Sequence, residues 1–256
     1  MIERYINNRV NAIWNDQNRF DTWKLIQEKY VETLEQLKIA EAGIAKKIRE
    51  AEVSKEEVYK QEEVTNHDLA SFVDILQKKV GEGSNWIHYG LTSSDIVDSA
   101  NSLLILQSIE IAQELILDLL KELKLKAKEN KDTKIIGRTH GVYAEETFLG
   151  NIFGNWYLEI KRSLDRVERA KVSIAYGKLS GPVGNHTVVT EEMEKITLEK
   201  LGLKPEIFAS QIVSRDRYAE VFTSLSILAS TYERISTNLR SYQRSEISEM
   251  YEPFKD

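Results

Sequence analysis

Residues 105–123, which read ILQSIEIAQELILDLLKEL, decide the fold of this 256-residue chain. Apolar residues recur there at steps of three and four, the spacing of one helix face: Ile105, Ile109, Ala112, Ile116, Leu120 and Leu123. The pattern returns from Leu149 to Ala170 and from Tyr218 to Tyr242. Helices of this length expose a continuous apolar stripe unless they pack together. We therefore predict an all-α fold built on a bundle of long, near-antiparallel helices, with oligomerisation or further helices covering the outer stripes.

The first 90 or so residues differ, because their apolar positions indicate shorter helices and a charged stretch follows from Glu50 to Glu63. We predict an N-terminal helical domain over residues 1–92 and a central bundle domain over residues 93–256. Two irregular stretches interrupt the pattern, Gly81–Asn85 and Ser180–Asn185, and a short helix is expected to begin near Thr190 and to end at Gly202.

Composition excludes several classes of protein. The net charge is -6 and there is no cysteine, which argues against nucleic-acid binding and excludes disulfides, zinc thiolates and thiol nucleophiles. No apolar run reaches the roughly 18 residues of a membrane span, so we expect a cytoplasmic protein with no membrane partner. There is no P-loop, dinucleotide fingerprint or His-x₃-His spacing, so we expect no cofactor and no metal.

The polar island Thr65-Asn66-His67-Asp68 precedes an apolar run. The simplest interpretation is a helix N-terminus, with Thr65 or Asn66 as the cap and Asp68 in the first turn. The functional alternative places His67 at a helix start where an anion binds.

Two further islands resemble the first in composition. In the stretch from His88 to Asp95, Thr92 and Ser93 precede a long helix, and their hydroxyls and free N–H groups could cradle a carboxylate or phosphate as readily as cap the helix. The third island, Gly137–Gly141, displays Arg138 and His140. We expect all three islands near helix starts and His186 in a surface or structural role. Together they indicate acid–base chemistry on a multiply charged anion.

At these residues the chain resembles the fumarase/aspartase superfamily and, within it, the adenylosuccinate lyase branch, to which the glycine after His140 points. The resemblance includes the islands, the start at Met1–Tyr5, the stretch Ser180–Gly184 and the segment from Gln211 to Arg217. It implies an anti elimination that releases fumarate from adenylosuccinate to give AMP, and from the succinylated aminoimidazole carboxamide ribotide of purine biosynthesis.

The resemblance also implies site residues. His140 matches the general acid that protonates the leaving nitrogen, and His67 matches a histidine that helps orient the substrate. Thr92 and Ser93 match the residues that grip a succinyl carboxylate. Further substrate contacts are implied at Arg4, Tyr5, Asn66, Asp68, His88, Gln211 and Arg215. The family forms homotetramers whose active sites combine three subunits.

The chain ends at Asp256, where relatives continue into a glycine- and serine-rich loop that carries the catalytic base. We therefore expect a truncated polypeptide that binds substrate weakly and does not turn over. Two alternatives stay open. One is another fumarate-releasing lyase of the superfamily, and the other is a non-catalytic helical oligomerisation scaffold.

Overall fold

The computed structural model describes residues 3–252, and Met1, Ile2 and the terminal segment 253–256 lie outside the described residues. Within this range the fold is helical, as predicted. The α-helices are α1 (Asn8–Ile13), α2 (Asp16–Gln36), α3 (Ile44–Glu50), α4 (Lys55–Thr65), α5 (Asp68–Val80), α6 (Ser93–Glu129), α7 (Leu149–Ile174), α8 (Glu191–Lys200) and α9 (Asp216–Tyr242). The strands are short: β1 (Lys134–Thr139), β2 (Val142–Phe148), β3 (Tyr176–Gly177) and β4 (Lys204–Pro205). Two 3₁₀ helices cover Glu3–Tyr5 and Ser84–Trp86.

The chain folds into two compact units. The first contains Met1–Ser108 and Ser173–Asp216, and the second contains Ile109–Val172 and Arg217–Asp256. The sequence boundary that we predicted between residues 92 and 93 coincides with the start of α6, inside the first unit. As a domain boundary it remains a prediction. None of the helices in the part of the chain that is described is long and apolar enough to cross a membrane.

The core of the first unit is organised around α2. Its buried residues recur at helical spacing and include Phe20, Trp23, Ile26, Tyr30 and Leu34. The ring of Trp23 meets that of Phe20 edge-on, with 5.3 Å between centroids, a geometry that aromatic pairs favour. Helices α3, α4 and α8 pack on α2, so one apolar stripe organises most of this unit.

The segment from 173 to 216 packs on the rest of the first unit through α8, and it contains a short parallel strand pair. The Thr197 hydroxyl donates to the Thr33 hydroxyl at 3.0 Å, and Lys200 Nζ lies 2.9 Å from a carboxylate oxygen of Glu32. Strand β3 pairs with β4, where Tyr176 lies opposite Lys204. The helix predicted from Thr190 to Gly202 is confirmed, since Thr190 caps α8.

The second unit contains the later part of α6, with α7 and α9. The N–H groups of Leu149 and Gly150, at the start of α7, donate to carbonyls just after the end of α6. At the other end of α7, Lys171 Nζ lies 3.1 Å from Glu110 of α6. The two helices are therefore antiparallel, as predicted. An ion pair between Arg234 and Glu159 joins α9 to α7.

A β-hairpin connects α6 to α7, which the sequence analysis did not predict. Strands β1 and β2 are antiparallel, with Lys134 opposite Phe148 and Thr139 opposite Val142. The two turn residues are His140 and Gly141, with φ of 55° and 77°. Positive φ at both positions matches the tight turn whose twist suits a hairpin. The third island therefore forms a hairpin turn rather than lying beside a helix start, since α7 begins only at Leu149.

Candidate active site

The first island links α4 to α5. Asn66, with φ of 53°, is the C-cap of α4, and the N-cap of α5 is His67, whose Nδ1 accepts a hydrogen bond from the Ala70 N–H at 3.4 Å. The expectation that Thr65 or Asn66 caps this helix is therefore wrong, because the left-handed Asn66 ends the preceding helix instead. Asp68 lies in the first turn of α5, as predicted.

The first and second islands meet at two helix N-termini. His67 Nε2 lies 3.3 Å from Ser93 Oγ, and Ser93 is the first residue of α6. His67 is exposed and Thr92 and Ser93 are partly buried, so a ligand can reach all three. Because free N–H groups and the helix dipole favour anions at such termini, this junction suits a carboxylate or phosphate.

Asp95 holds this junction from inside the protein. Its buried carboxylate accepts hydrogen bonds from the Thr92 N–H at 2.8 Å and from the Gly181 N–H at 3.2 Å, and it pairs with the buried ammonium of Lys178. Lys178 also donates to the Gly181 carbonyl at 2.7 Å. Burial raises the pKa of Asp95, while Lys178 opposes that shift. The Asp95 carboxylate thus connects the start of α6 to the glycine-rich stretch, residues 180–185.

Asp95 and Lys178 are not among the site residues predicted from the sequence. A signal for Asp95 was present, because Thr92-Ser93-Ser94-Asp95 matches the spacing of a capping box, in which an acidic residue follows the capping hydroxyl by three positions. Lys178 had no comparable signal, because its partner lies 83 residues away along the chain.

The substrate contacts predicted at Gln211 and Arg215 lie on a segment that α6 holds in place. Buried Asp98 accepts a hydrogen bond from the Val213 N–H at 2.8 Å and pairs with the Arg215 guanidinium at 3.0 Å. The Gln211 side chain is exposed. Gly184 also packs against this segment, since a Cβ built on it would lie 2.1 Å from the Ala209 carbonyl oxygen.

The remaining predicted residues of the first unit differ in their surroundings. His88 is partly buried, and both the amide oxygen and the amide nitrogen of Gln27 bond to it. Arg4 and Tyr5 lie on the first 3₁₀ helix and are exposed. His186 has Nδ1 3.0 Å from the Val189 carbonyl oxygen. That contact fits the structural role predicted for it.

His140 lies in the second unit, at the exposed hairpin turn. Beside it, Arg138 pairs with Glu249 at 2.8 Å, and its guanidinium lies 5.4 Å from the centre of the Tyr143 ring. An open pocket of about 410 Å³ adjoins the turn, and its lining residues are Arg138, Gly141, Val142, Tyr143, Arg244, Glu246 and Ile247. The structure thus brings His67, Thr92 and Ser93 together in one unit and displays His140 in the other.

Comparison with known proteins places this chain in a family. A family model described as a lyase matches residues 9–255, nearly the whole chain. The chain belongs to this lyase family, within the fumarase/aspartase superfamily. Its relatives include the adenylosuccinate lyase of Thermotoga maritima, 40% identical over 256 residues, and that of Aquifex aeolicus, 40% identical over 258 residues. The matches cover 100% and 99% of this chain and 59% of each relative.

A solved structure agrees with the lyase fold. The β-carboxy-cis,cis-muconate cycloisomerase of Acinetobacter calcoaceticus superposes with a TM-score of 0.89 at 20% sequence identity, and the match covers 98% of this chain and 61% of that one. At this identity the likeness concerns the fold alone. Among residues 3–252 of this lyase-family chain, no group of three His, Asp or Glu side chains is placed to hold a metal ion.

Proposed function

We propose that this chain carries part of the active site of an adenylosuccinate lyase. The reaction is an anti elimination, in which a base takes a proton from carbon, the C–N bond breaks, and the leaving nitrogen gains a proton. The products are fumarate and AMP, and the same chemistry cleaves the succinylated aminoimidazole carboxamide ribotide. The observation that carries the proposal is the junction of two helix N-termini, where His67 Nε2 lies 3.3 Å from Ser93 Oγ.

The roles follow from the chemistry of each group. Charge builds on a succinyl carboxylate as the proton leaves carbon, and the hydroxyls of Thr92 and Ser93 with the N–H groups of α6 are suited to stabilise it. His67 donates or accepts a hydrogen bond beside these hydroxyls and orients the substrate. His140 supplies the proton to the leaving nitrogen, since an imidazole exchanges protons readily near neutral pH.

The nucleotide needs further contacts. We assign them to residues around this junction and to two segments of the first unit, namely the first 3₁₀ helix and the segment 211–215. Asp98 supports this assignment for the second segment, because it holds the backbone of Val213 and the guanidinium of Arg215. The proposed contacts are Arg4, Tyr5, Asn66, Asp68, His88, Gln211 and Arg215.

We further propose that the active form is a cytoplasmic homotetramer that uses no cofactor. Large apolar side chains support the oligomer, because the second unit leaves Phe222 and Ile227 of α9 and Leu117 of α6 substantially exposed. In such an assembly His67 and His140 of one site come from different subunits. The net charge of -6 argues against a nucleic-acid partner, so a small anionic substrate must be held by local donors.

Calorimetric titration of the 256-residue chain tests the binding half of the proposal. We expect adenylosuccinate to bind more tightly than argininosuccinate or malate. Ser93→Ala should weaken that binding by about 10- to 100-fold, because a hydrogen bond to a charged group contributes about 1.5–3 kcal/mol. Glu50→Gln, an exposed position on α3, serves as the control. Equal affinity for all three ligands contradicts the assignment.

Turnover tests the acid. In a catalytically active form of the protein, we expect His140→Gln to slow fumarate release by about 10²- to 10⁴-fold, the contribution of a positioned general acid. An unchanged rate removes His140 from that role. For the 256-residue chain alone we expect ligand binding without fumarate release.

A further inference from the structure

Gln27 is fully buried on α2, and both polar atoms of its side chain are used by one residue. Its Oε1 accepts a hydrogen bond from the His88 backbone N–H at 2.9 Å, and its Nε2 lies 3.0 Å from His88 Nδ1. His88 has a φ of 63°, a left-handed conformation that costs free energy for a residue with a Cβ. Gln27 therefore holds His88 in a conformation that it would seldom adopt alone.

The backbone contact decides which way the Gln27 amide faces. A backbone N–H can only donate, so the amide oxygen must face it and the amide NH₂ must face the ring. The NH₂ group donates to Nδ1, which must then offer its lone pair. A neutral imidazole with an unprotonated Nδ1 carries its proton on Nε2.

The surroundings of His88 favour this neutral form. Burial lowers the pKa of His88 to about 4, and the charge of His67 adds to that shift. His67 is the titratable group that acts on the ring, and Gln27 faces it from α2 without a charge. A second proton would also have to enter at Nδ1, where the NH₂ of Gln27 already donates.

We infer that Gln27 is a positioning residue that holds His88 neutral, with its proton on Nε2, so that the loop before α6 offers an acceptor oxygen of the ligand a fixed hydrogen-bond donor. The ligand part of this inference rests on the proposed function. The tautomer itself depends only on contacts within the free chain.

Nitrogen NMR of the chain labelled with ¹⁵N-histidine measures the tautomer directly. The chain contains only four histidines, so the spectrum is simple to assign, with His88→Asn identifying the His88 signals. At neutral pH we expect His88 Nδ1 to be unprotonated and Nε2 to be protonated. A protonated Nδ1 overturns the inference. Addition of AMP or fumarate should shift the Nε2 signal, and a ligand that binds while leaving that signal unchanged overturns the donor role.

The substitution Gln27→Glu tests the cause. A carboxylate offers only acceptors, so Nδ1 should gain a proton and the pKa of His88 should rise. Gln17→Glu adds the same charge to α2 at a residue that contacts Asp21 and Val53 instead, and it should leave the His88 signals unchanged.

If Gln27→Glu fails to fold, Gln27→Met should give a mixture of tautomers. His88 signals identical to wild type in a folded Gln27 variant overturn the role of Gln27. Failure to bind either ligand would count against the proposed function and not against the tautomer.

Discussion

At the scale of single residues, buried polar side chains hold the backbone around the proposed site. Asp95 fixes the Thr92 N–H, Asp98 fixes the Val213 N–H, and Gln27 fixes His88. All three are buried, and each joins segments far apart in sequence or caps a helix start. Residues that bind a ligand must be accessible, so they are not fixed by burial. The positions of the proposed ligand contacts therefore depend on these three buried partners.

Asp95→Asn is expected to destabilise the chain strongly. The buried ammonium of Lys178 would lose its counter-charge, and removal of one partner from a buried pair costs about 3–5 kcal/mol. Urea denaturation measures the loss. The same change at Asp74, whose partner is the neutral Gln61, should cost about 1 kcal/mol. Adding Lys178→Met to Asp95→Asn should recover part of the stability. If the free energy of unfolding of Asp95→Asn lies within about 1 kcal/mol of the wild-type value, the ion-pair role is contradicted.

His88 is expected to make stability depend on pH. Its folded pKa is about 4 against an ordinary 6.5, so between these values the unfolded chain binds more protons than the folded chain. The free energy of unfolding should therefore fall as the pH drops through this window, by up to about 3 kcal/mol. His88→Asn, which tolerates the left-handed backbone, should lose that part of the decline. Urea midpoints measured across the window for both proteins check this, and parallel curves contradict it.

At the scale of elements, the sequence predicts long helices better than it predicts what joins them. The periodic stretches 105–123, 149–170 and 218–242 lie within α6, α7 and α9, because an apolar stripe is a local signal that tertiary packing reinforces. The sequence does not predict the hairpin at His140, because strand β2 is exposed along most of its length. It carries Glu145 and Glu146 where an apolar alternation would indicate a strand. The His67 cap was missed because Asn66 ends the preceding helix immediately before it.

Two glycines with nearly equal positive φ distinguish backbone strain from steric crowding. Gly184 and Gly202 have φ of 74° and 72°, but a Cβ on Gly184 meets the Ala209 carbonyl while one on Gly202 meets nothing within 4 Å. Gly202→Ala should cost about 1–2 kcal/mol from left-handed strain. Gly184→Ala should cost about 1–3 kcal/mol more and displace the segment that carries Gln211. Thermal unfolding compares them, and equal losses contradict the packing argument.

At the scale of the whole molecule, the division into units could not be read from local pattern. Residues 173–216 begin at the last residues of α7 yet fold with the first unit, through contacts such as Thr197 with Thr33 and Lys178 with Asp95. Nothing in the spacing of apolar residues specifies which distant segment a short helix will meet. The resemblance named the residues of the proposed site, whereas their buried partners could be found only from the three-dimensional contacts.

The exposed apolar residues of the second unit lead to a prediction about assembly. Phe222 is 60% exposed and Ile227 is 46% exposed on α9, although large apolar side chains are stabilised by removal from water. We expect the chain to self-associate as its concentration rises, with Phe222→Glu shifting it to a smaller mass by light scattering, because a buried unpaired charge is costly. Thr187→Glu places the same charge at an exposed polar position of the first unit and should leave the mass unchanged. A wild-type chain that stays monomeric at every concentration, or a Phe222→Glu variant that assembles like wild type, contradicts the role of this helix in the oligomer.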